Sequence, residues 1–187
     1  GPKTCVATQS SDTVPALMAL GASLRVLGPD GSRDLPLTQL FRFNGMDHLK
    51  ITAGDLLTHI VVPLPGEGHR ASYQKLRTRG AIDFPQLGIA IAGTFRGTGA
   101  EAVAESLQIV VGAINPQPKV LPGLAPFQGA TLDDDTIEGL GEIAYKRSRP
   151  QASVQGEPTW RRSMARVLVV RALRRLRDDL PVAAEGE

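Results

Sequence analysis

The apolar run Phe84–Phe95 (FPQLGIAIAGTF) is the strongest constraint on how this chain can fold. It is too short and too rich in glycine for a membrane-spanning helix, so it predicts a buried β-strand. The cations Lys75, Arg77 and Arg79 precede it on a second predicted strand, and Asp83 lies between the two. Such a basic cluster suits an anionic ligand such as a phosphate. It also fits a solvated charged turn, which composition alone favours.

The composition narrows the classes of protein to consider. A chain of 187 residues can form one domain or a small pair with a real core. An aromatic content of 4% argues against stacking platforms for single-stranded nucleic acid, and a net charge of +2 is too small to argue for DNA. The single cysteine excludes an internal disulfide and predicts a reducing, cytoplasmic location. No signal peptide is visible, and the start without Met suggests a fragment or a processed chain.

Start, stop and turn signals along the chain predict strands first and helices late. Ser11 and Asp12 before the first helix are N-cap residues, and Gly21 after it is a stop signal. The predicted strands are Ser23–Leu27, Asp34–Leu37, Leu56–Pro63, Ser72–Arg79, Phe84–Phe95 and Glu105–Gly112. The predicted helices are Val14–Leu20, Leu121–Phe127, Asp133–Lys146 and Pro158–Leu180. This order predicts an α+β fold, with antiparallel sheets and helices packed on one side.

The segment Gly97–Ala102 matches a GxGxxA dinucleotide-binding pattern after a strand. Only a few residues separate its glycines from the next predicted strand, whereas a parallel crossover needs about a dozen or more. We therefore expect a hairpin loop here.

The last predicted helix carries seven of the 21 basic residues of the chain, between Arg161 and Arg177. Its apolar residues form one stripe, which is typical of a terminal helix docked on its own core. The stripe consists of Ala165, Leu168, Val169, Ala172, Leu173, Leu176 and Leu180. A membrane-surface or nucleic-acid helix has a similar pattern. So does a face for an acidic partner subunit, as part of an enzyme complex or of a non-enzymatic interaction module.

Five segments, read in order, resemble one family. They are CVATQSSDTVPALMALGASLRVLGPDGSRDLPL, GDLLTHIVVPLP, SYQKLRTRGAIDFPQLGIAIAG, LQIVVGAINPQPK and WRRSMARVLVVRAL. Together they resemble the FAD-binding (medium) subunit of the molybdenum hydroxylases, a family that includes xanthine dehydrogenase and carbon monoxide dehydrogenase. Within it, KLRTRGAIDFPQLG and VVGAINPQPK are most similar to the β subunit of 4-hydroxybenzoyl-CoA reductase.

The resemblance implies a division of the chain. Residues 1–66 would be the C-terminal part of the second FAD-binding subdomain, with a mixed or antiparallel sheet and helices. Residues 67–180 would be the C-terminal domain, an antiparallel three-stranded sheet packed with helices, and 181–187 a tail. The Gly-rich loops that hold the FAD diphosphate in the family precede the first segment and do not occur here. We therefore expect the chain to bind FAD weakly by itself.

The resemblance also implies a function in electron transfer. The intact subunit would pass electrons between FAD and the [2Fe–2S] centres of a small subunit, while a molybdopterin-containing large subunit carries out the substrate chemistry. That chemistry would be reduction of 4-hydroxybenzoyl-CoA to benzoyl-CoA, or, in an oxidative relative, oxidation of a purine, an aldehyde or carbon monoxide. No nucleic acid partner and no membrane span are expected.

Cofactor-binding residues follow from the family motifs, residue by residue. The acid of the SD tract, which contacts FAD, corresponds to Asp12, with Ser11 beside it. A main-chain contact on the LLTxIxxP strand corresponds to Leu57. The lysine of the SYQK strand, near the flavin, corresponds to Lys75. A lysine at the pyrimidine edge stabilises charge on the reduced ring and so tunes its potential.

Three further positions follow from the resemblance. Arg79 and Asp83 match a loop close to the isoalloxazine ring in the xanthine dehydrogenase branch, a loop that varies within the family, and the alternative is a local ion pair across a turn. Cys5 matches the last of four cysteines that hold a [4Fe–4S] cluster in the 4-hydroxybenzoyl-CoA reductase branch. A free buried cysteine at the start of a strand is an equally good interpretation.

Overall fold

Two antiparallel sheets and three α-helices form the fold. A computed structural model describes residues 11–42, 44, 47–80, 83–150 and 157–178. The helices are α1 (Thr13–Ala19), α2 (Asp134–Arg147) and α3 (Pro158–Arg177). The strands are β1 (Ser23–Gly28), β2 (Gly31–Pro36), β3 (Leu56–Val61), β4 (His69–Leu76), β5 (Leu87–Arg96), β6 (Val103–Gly112), β7 (Lys119–Val120) and β8 (Ala130–Thr131). The predicted α+β class is confirmed.

The first sheet has the strand order β2-β1-β3. Strands β1 and β2 form an antiparallel hairpin, with Gly28 opposite Gly31. Arg33 of β2 donates two hydrogen bonds, of 2.8 and 2.7 Å, to Asp55, which is almost buried just before β3. This ion pair fixes the loop that leads into β3.

The second sheet has the order β4-β5-β6-β7, and β8 pairs with β6. All its pairings are antiparallel, so residues 97–102 are a hairpin connection between β5 and β6, as expected. The predicted sheet had three strands. Strands β7 and β8 have two residues each, too few to show a periodic pattern in the sequence.

Strand β5 is the wall between two cores. Its large side chains, Leu87, Ile89 and Ile91, point into one core with α2 and α3. Its small side chains, Ala90 and Ala92, point into a second core with α1 and the first sheet. The expectation that helices pack on one side of the sheet is therefore wrong for α1. The alternation of large and small residues lets both sides of the strand be covered closely.

Helices α2 and α3 form a layer that packs on the second sheet, and the inner face of this layer is apolar. The predicted stripe of α3 is buried from Ala165 to Leu176, so the helix docks on its own core. The Asp133 carboxylate caps α2 by accepting from Thr136 N, and Glu157 caps α3. None of the described helices is long and apolar enough to cross a membrane.

Some predicted boundaries are wrong for local reasons. The expected helix Leu121–Phe127 is only a 3-10 turn at 125–127, because Gly123 takes a left-handed conformation with φ of 90°. The expected strand Ser72–Arg79 begins earlier, at His69, directly after Gly68 with φ of 71°. The expected strand Phe84–Phe95 begins only at Leu87.

Candidate functional site

The candidate site lies where the start of α1 meets the end of β4. Lys75 Nζ lies 2.8 Å from Asp12 Oδ2, and the Tyr73 hydroxyl donates to Asp12 Oδ1 at 3.2 Å. Tyr73 and Lys75 are two residues apart on β4, so their side chains leave the same face of the strand. Asp12 and Lys75 are 63 residues apart in sequence. The fold therefore brings together two positions that were predicted from separate motifs.

Small residues allow α1 to lie close enough for this contact. A Cβ on Gly112 would lie 2.6 Å from Pro15 Cγ of α1, so only glycine leaves room for the helix at that point. A Cβ on Gly88 would lie 2.9 Å from the Tyr73 hydroxyl. Gly88 pairs with Lys75 across the sheet, so it makes space for the Tyr73 ring beside the ammonium group.

The loop between β4 and β5 closes the other side of Lys75. The backbone carbonyl of Asp83 accepts a hydrogen bond from Lys75 Nζ at 2.6 Å. The Asp83 carboxylate, 6% exposed, accepts from the backbone N–H groups of Thr78, Arg79 and Phe84 and pairs with the Arg79 guanidinium at 3.1 Å. These bonds, that of Arg79 foremost, lower the pKa of Asp83 to about 2.

The charges of the site alternate along a short path from Asp12 through Lys75 to Asp83 and Arg79. The Lys75 side chain is 16% exposed, and an ammonium group has three protons, two of which these oxygens accept. Asp12 is 46% exposed, so its carboxylate can also accept hydrogen bonds from a ligand hydroxyl. The arrangement can hold a polar ligand edge that gains negative charge.

Two apolar surfaces adjoin these charges. Phe84, directly after Asp83, is 71% exposed. A shallow groove between α1 and β4 is lined mainly by small apolar residues, and Tyr73 forms part of its wall. A flat ring with one polar edge fits this combination of surfaces.

The remaining predicted residues lie elsewhere. Ser11 is buried, and its hydroxyl accepts from Val14 N at 3.3 Å, so it caps α1. Asp12 does not make the capping bond that its position allows. Leu57 lies on β3, opposite Val26, in the first sheet, where β3 is an edge strand of the described residues. Cys5, the predicted cluster ligand, lies outside the described residues.

Sequence reasoning missed Tyr73 and Gly88. Tyr73 could have been predicted from the two-residue period of a β-strand, because a residue two positions before Lys75 lies on the same face of the strand. Gly88 had no such signal, since its role depends on which side chain lies above it in the folded sheet.

Family models match two parts of the chain. The CO dehydrogenase flavoprotein C-terminal domain matches residues 71–176, which is more than half of the chain. The FAD binding domain in molybdopterin dehydrogenase matches residues 3–65.

Individual proteins agree with these matches. The carbon monoxide dehydrogenase medium chain of Afipia carboxidovorans is 30% identical over 168 residues, which are 87% of this chain and 54% of that protein. The chain thus spans about half the length of this relative.

Solved structures show the same fold. Carbon monoxide dehydrogenase of Hydrogenophaga pseudoflava superposes with a TM-score of 0.79 at 20% identity, over 89% of this chain and 56% of that one. Quinoline 2-oxidoreductase of Pseudomonas putida 86 gives 0.75 at 18% identity, over 89% and 56%. The family matches show that the chain belongs to the FAD-binding medium subunits of the molybdenum hydroxylase family.

Proposed function

We propose that this chain is the part of an electron-transfer flavoprotein subunit that positions Lys75 and Asp12 against bound FAD. The observation that carries the proposal is the convergence of Asp12, Lys75 and Asp83 at one point, with two ammonium–oxygen distances below 3 Å. Bound FAD accepts and releases electrons. The donor set fits its polar pyrimidine edge, and the exposed Phe84 offers an apolar surface beside it.

The residues of the site have distinct tasks in this proposal. Lys75 places a positive charge where the reduced ring gains electron density, which stabilises that form. Asp12, which accepts a hydrogen bond from the Tyr73 hydroxyl, holds the ammonium group from one side, and the Asp83 carbonyl holds it from the other. Arg79 acts through Asp83, because its guanidinium and backbone N–H both bind that carboxylate. Ser11 positions Asp12 by capping α1.

Leu57 remains a proposed main-chain contact. It lies on an edge strand of the described sheet, and an edge strand presents backbone N–H and C=O groups that a ligand can bind.

Replacing Lys75 with Met in the full-length subunit tests the proposal. We expect weaker FAD retention, or a bound flavin whose potential is lower by about 30 mV, because the reduced ring loses a nearby cation. The FAD-to-protein ratio after dialysis and the potential of the retained flavin are the measurements. Lys75→Arg, which keeps the charge, should recover part of the effect.

Lys50→Met is the matched control, since Lys50 is exposed and the side-chain change is identical. The control should retain FAD and its potential. If Lys75→Met behaves like the control in both measurements, Lys75 does not belong to the flavin site. A full-length protein purified without any flavin would contradict the function itself.

Two alternatives for the intact enzyme differ in the substrate of the complex. The relative from Afipia carboxidovorans supports an oxidative enzyme of the carbon monoxide dehydrogenase type. The wording KLRTRGAIDFPQLG and VVGAINPQPK supports a 4-hydroxybenzoyl-CoA reductase β subunit, in which Cys5 would ligate a [4Fe–4S] cluster. Iron and sulfide analysis of the purified full-length subunit separates them, because only the second requires a cluster on this subunit.

The proposal also covers the partner subunits of the intact protein and its location in the cell. A molybdopterin-containing large subunit and a [2Fe–2S] small subunit would associate with the intact protein, in the cytoplasm. Co-purification of both subunits with the tagged full-length chain, at equal stoichiometry, is the corresponding measurement.

A further inference from the structure

A groove runs between α2 and α3 on the outer side of the helix pair. We call it the α2–α3 groove; its walls include Glu142, Tyr145, Val167, Val170, Arg171 and Arg175. None of the residues that line it forms a described hydrogen bond with Asp12, Lys75 or Asp83 of the candidate site. Its charge and shape need an explanation of their own.

Acidic side chains of α2 neutralise two of the arginines in the groove. Arg166 pairs with Glu138 at 3.0 Å and with Glu142 at 2.9 Å. Arg174 pairs with Glu138 at 3.2 Å and with Asp134 at 3.5 Å. These pairs link the two helices and leave their arginines little capacity for an external anion.

Arg171 and Arg175 differ from these two arginines. They lie one turn apart on α3 and line the same groove, and neither forms an ion pair or hydrogen bond with any described residue. The groove therefore carries a local surplus of two positive charges, over and above the pairs that join the helices. Among the described residues, no ion pair or hydrogen bond accounts for a cation at either position.

An apolar surface continues the line of these cations. Val167 lies one turn before Arg171 and is 40% exposed, and Trp160 at the start of α3 is 44% exposed. The ridge Val167–Arg171–Arg175 advances about 6 Å at each step along the helix axis. On the opposite wall, Tyr145 is fixed by Arg162, which lies 4.3 Å from the centre of its ring. The groove thus has an apolar end and a cationic end.

We propose that the α2–α3 groove binds an acidic, amphipathic segment of a partner protein. An apolar side chain of that segment would cover Val167, and carboxylates spaced by one helical turn would pair with Arg171 and Arg175. A nucleic acid fits less well, because the two arginines without a described partner lie only one helical turn apart, whereas a duplex is bound through cations that follow several phosphates. A membrane surface also fits less well, because the apolar stripe of α3 is buried in the core.

The test uses fluorescence anisotropy with the full-length chain and a labelled helical peptide that alternates Leu and Glu at one-turn spacing. The same peptide with Lys at each Glu, vesicles of phosphatidylserine and a short DNA duplex are the comparison probes. The key variant carries Arg171→Glu and Arg175→Glu. The matched control carries Lys50→Glu and Arg149→Glu, an equal charge change at two exposed positions that do not line the groove.

We expect the acidic peptide to bind, and the groove variant to weaken binding about tenfold or more, through the loss of two charge pairs. The control should stay within about twofold of the unaltered chain, since remote charges act only through screened attraction. Val167→Gln should also weaken binding without changing the net charge. If circular dichroism shows that the charge-reversed chain does not fold, Val167→Gln provides the test in its place.

Three results would overturn the proposal. The first is that the acidic peptide fails to bind the folded chain. The second is that both double variants lose affinity equally, which would indicate attraction by net charge alone. The third is that DNA or vesicles bind more tightly than the peptide.

Discussion

Asp83 organises the loop beside the candidate site through one carboxylate. It accepts three backbone N–H groups and the Arg79 guanidinium, while its own carbonyl binds Lys75. Of the two interpretations that the sequence left open for Arg79 and Asp83, the structure shows the local ion pair, and a place beside the flavin stays a prediction. They form a local ion pair across a turn, and that pair positions a neighbour of the proposed flavin-binding lysine.

The depressed pKa of Asp83 makes the folded state sensitive to acid. The ionised carboxylate is favoured by the fold, so its contribution to stability is complete above the unfolded pKa of about 3.9 and is lost as the pH falls towards about 2. We therefore predict that Asp83→Asn lowers the free energy of unfolding at neutral pH, and that its difference from the unaltered chain vanishes near pH 2.

Urea unfolding between pH 2 and 7 measures this difference. Glu101→Gln, at an exposed position, is the control and should leave the pH dependence unchanged. A constant difference between Asp83→Asn and the unaltered chain across the whole pH range would contradict the prediction.

At the scale of elements, α2 and α3 approach each other closely at Gly141. A Cβ there would lie 2.7 Å from Val170 Cγ2 and 3.1 Å from Arg166 Cγ. Gly139, on the same helix, would place its Cβ at an ordinary 3.6 Å from Phe127. Substitution of Gly139 therefore measures mainly the intrinsic helix preference of the new residue, and substitution of Gly141 also measures the packing between the two helices.

We predict opposite effects for the two alanine substitutions. Gly139→Ala should stabilise the chain by about 0.5–1 kcal/mol, because alanine restricts the unfolded chain more than glycine does. Gly141→Ala should destabilise it by about 1–3 kcal/mol, because the added methyl group forces the helices apart. Thermal unfolding of both variants is the measurement. Stabilisation by both would show that the helix contact is loose.

The elements also show what the sequence could and could not predict. The β5 run, the hairpin at Gly97–Ala102 and the buried stripe of α3 were predictable because each has a clear period or turn signal. The short strands β7 and β8 were not, because two residues carry no period. The same limit applies to Gly141, which looks like any helical glycine until the partner helix is in place.

For the site, family motifs predict individual residues but not their arrangement. The family motifs pointed to Asp12 and Lys75 separately, and only the packing of α1 on β5 and β6 brings them into contact. Tyr73 could have been inferred from the strand period. The interaction of Lys75 with the Asp83 carbonyl could not, because it depends on the conformation of the loop rather than on a side-chain type.

At the scale of the whole molecule, one hydrophobic core includes residues from both sides of the predicted boundary near residue 66. Ala90, Ala92 and Val110 of the second sheet share a core with α1 and the first sheet. The opposite face of the same sheet packs against α2 and α3. We therefore expect the two halves to unfold together.

Leu24→Ala tests this coupling. Leu24 is 2% exposed in the first sheet, so we expect a loss of about 2–5 kcal/mol in the free energy of unfolding. The fluorescence of Trp160, the single tryptophan, reports on α3 and should show the same loss as circular dichroism. Leu64→Ala, at a side chain that is 94% exposed, is the control. A Trp160 transition that does not move would indicate independent halves.

The small side chains on the α1 face of β5 also act as a spacer of fixed thickness. Asp12 directly precedes α1, and Lys75 belongs to the strand next to β5, so the alanine layer at positions 90 and 92 sets the distance between their charges. A larger apolar residue there would add buried surface and yet draw Asp12 away from Lys75. The electrostatics of the site therefore depend on methyl groups that touch no charged atom.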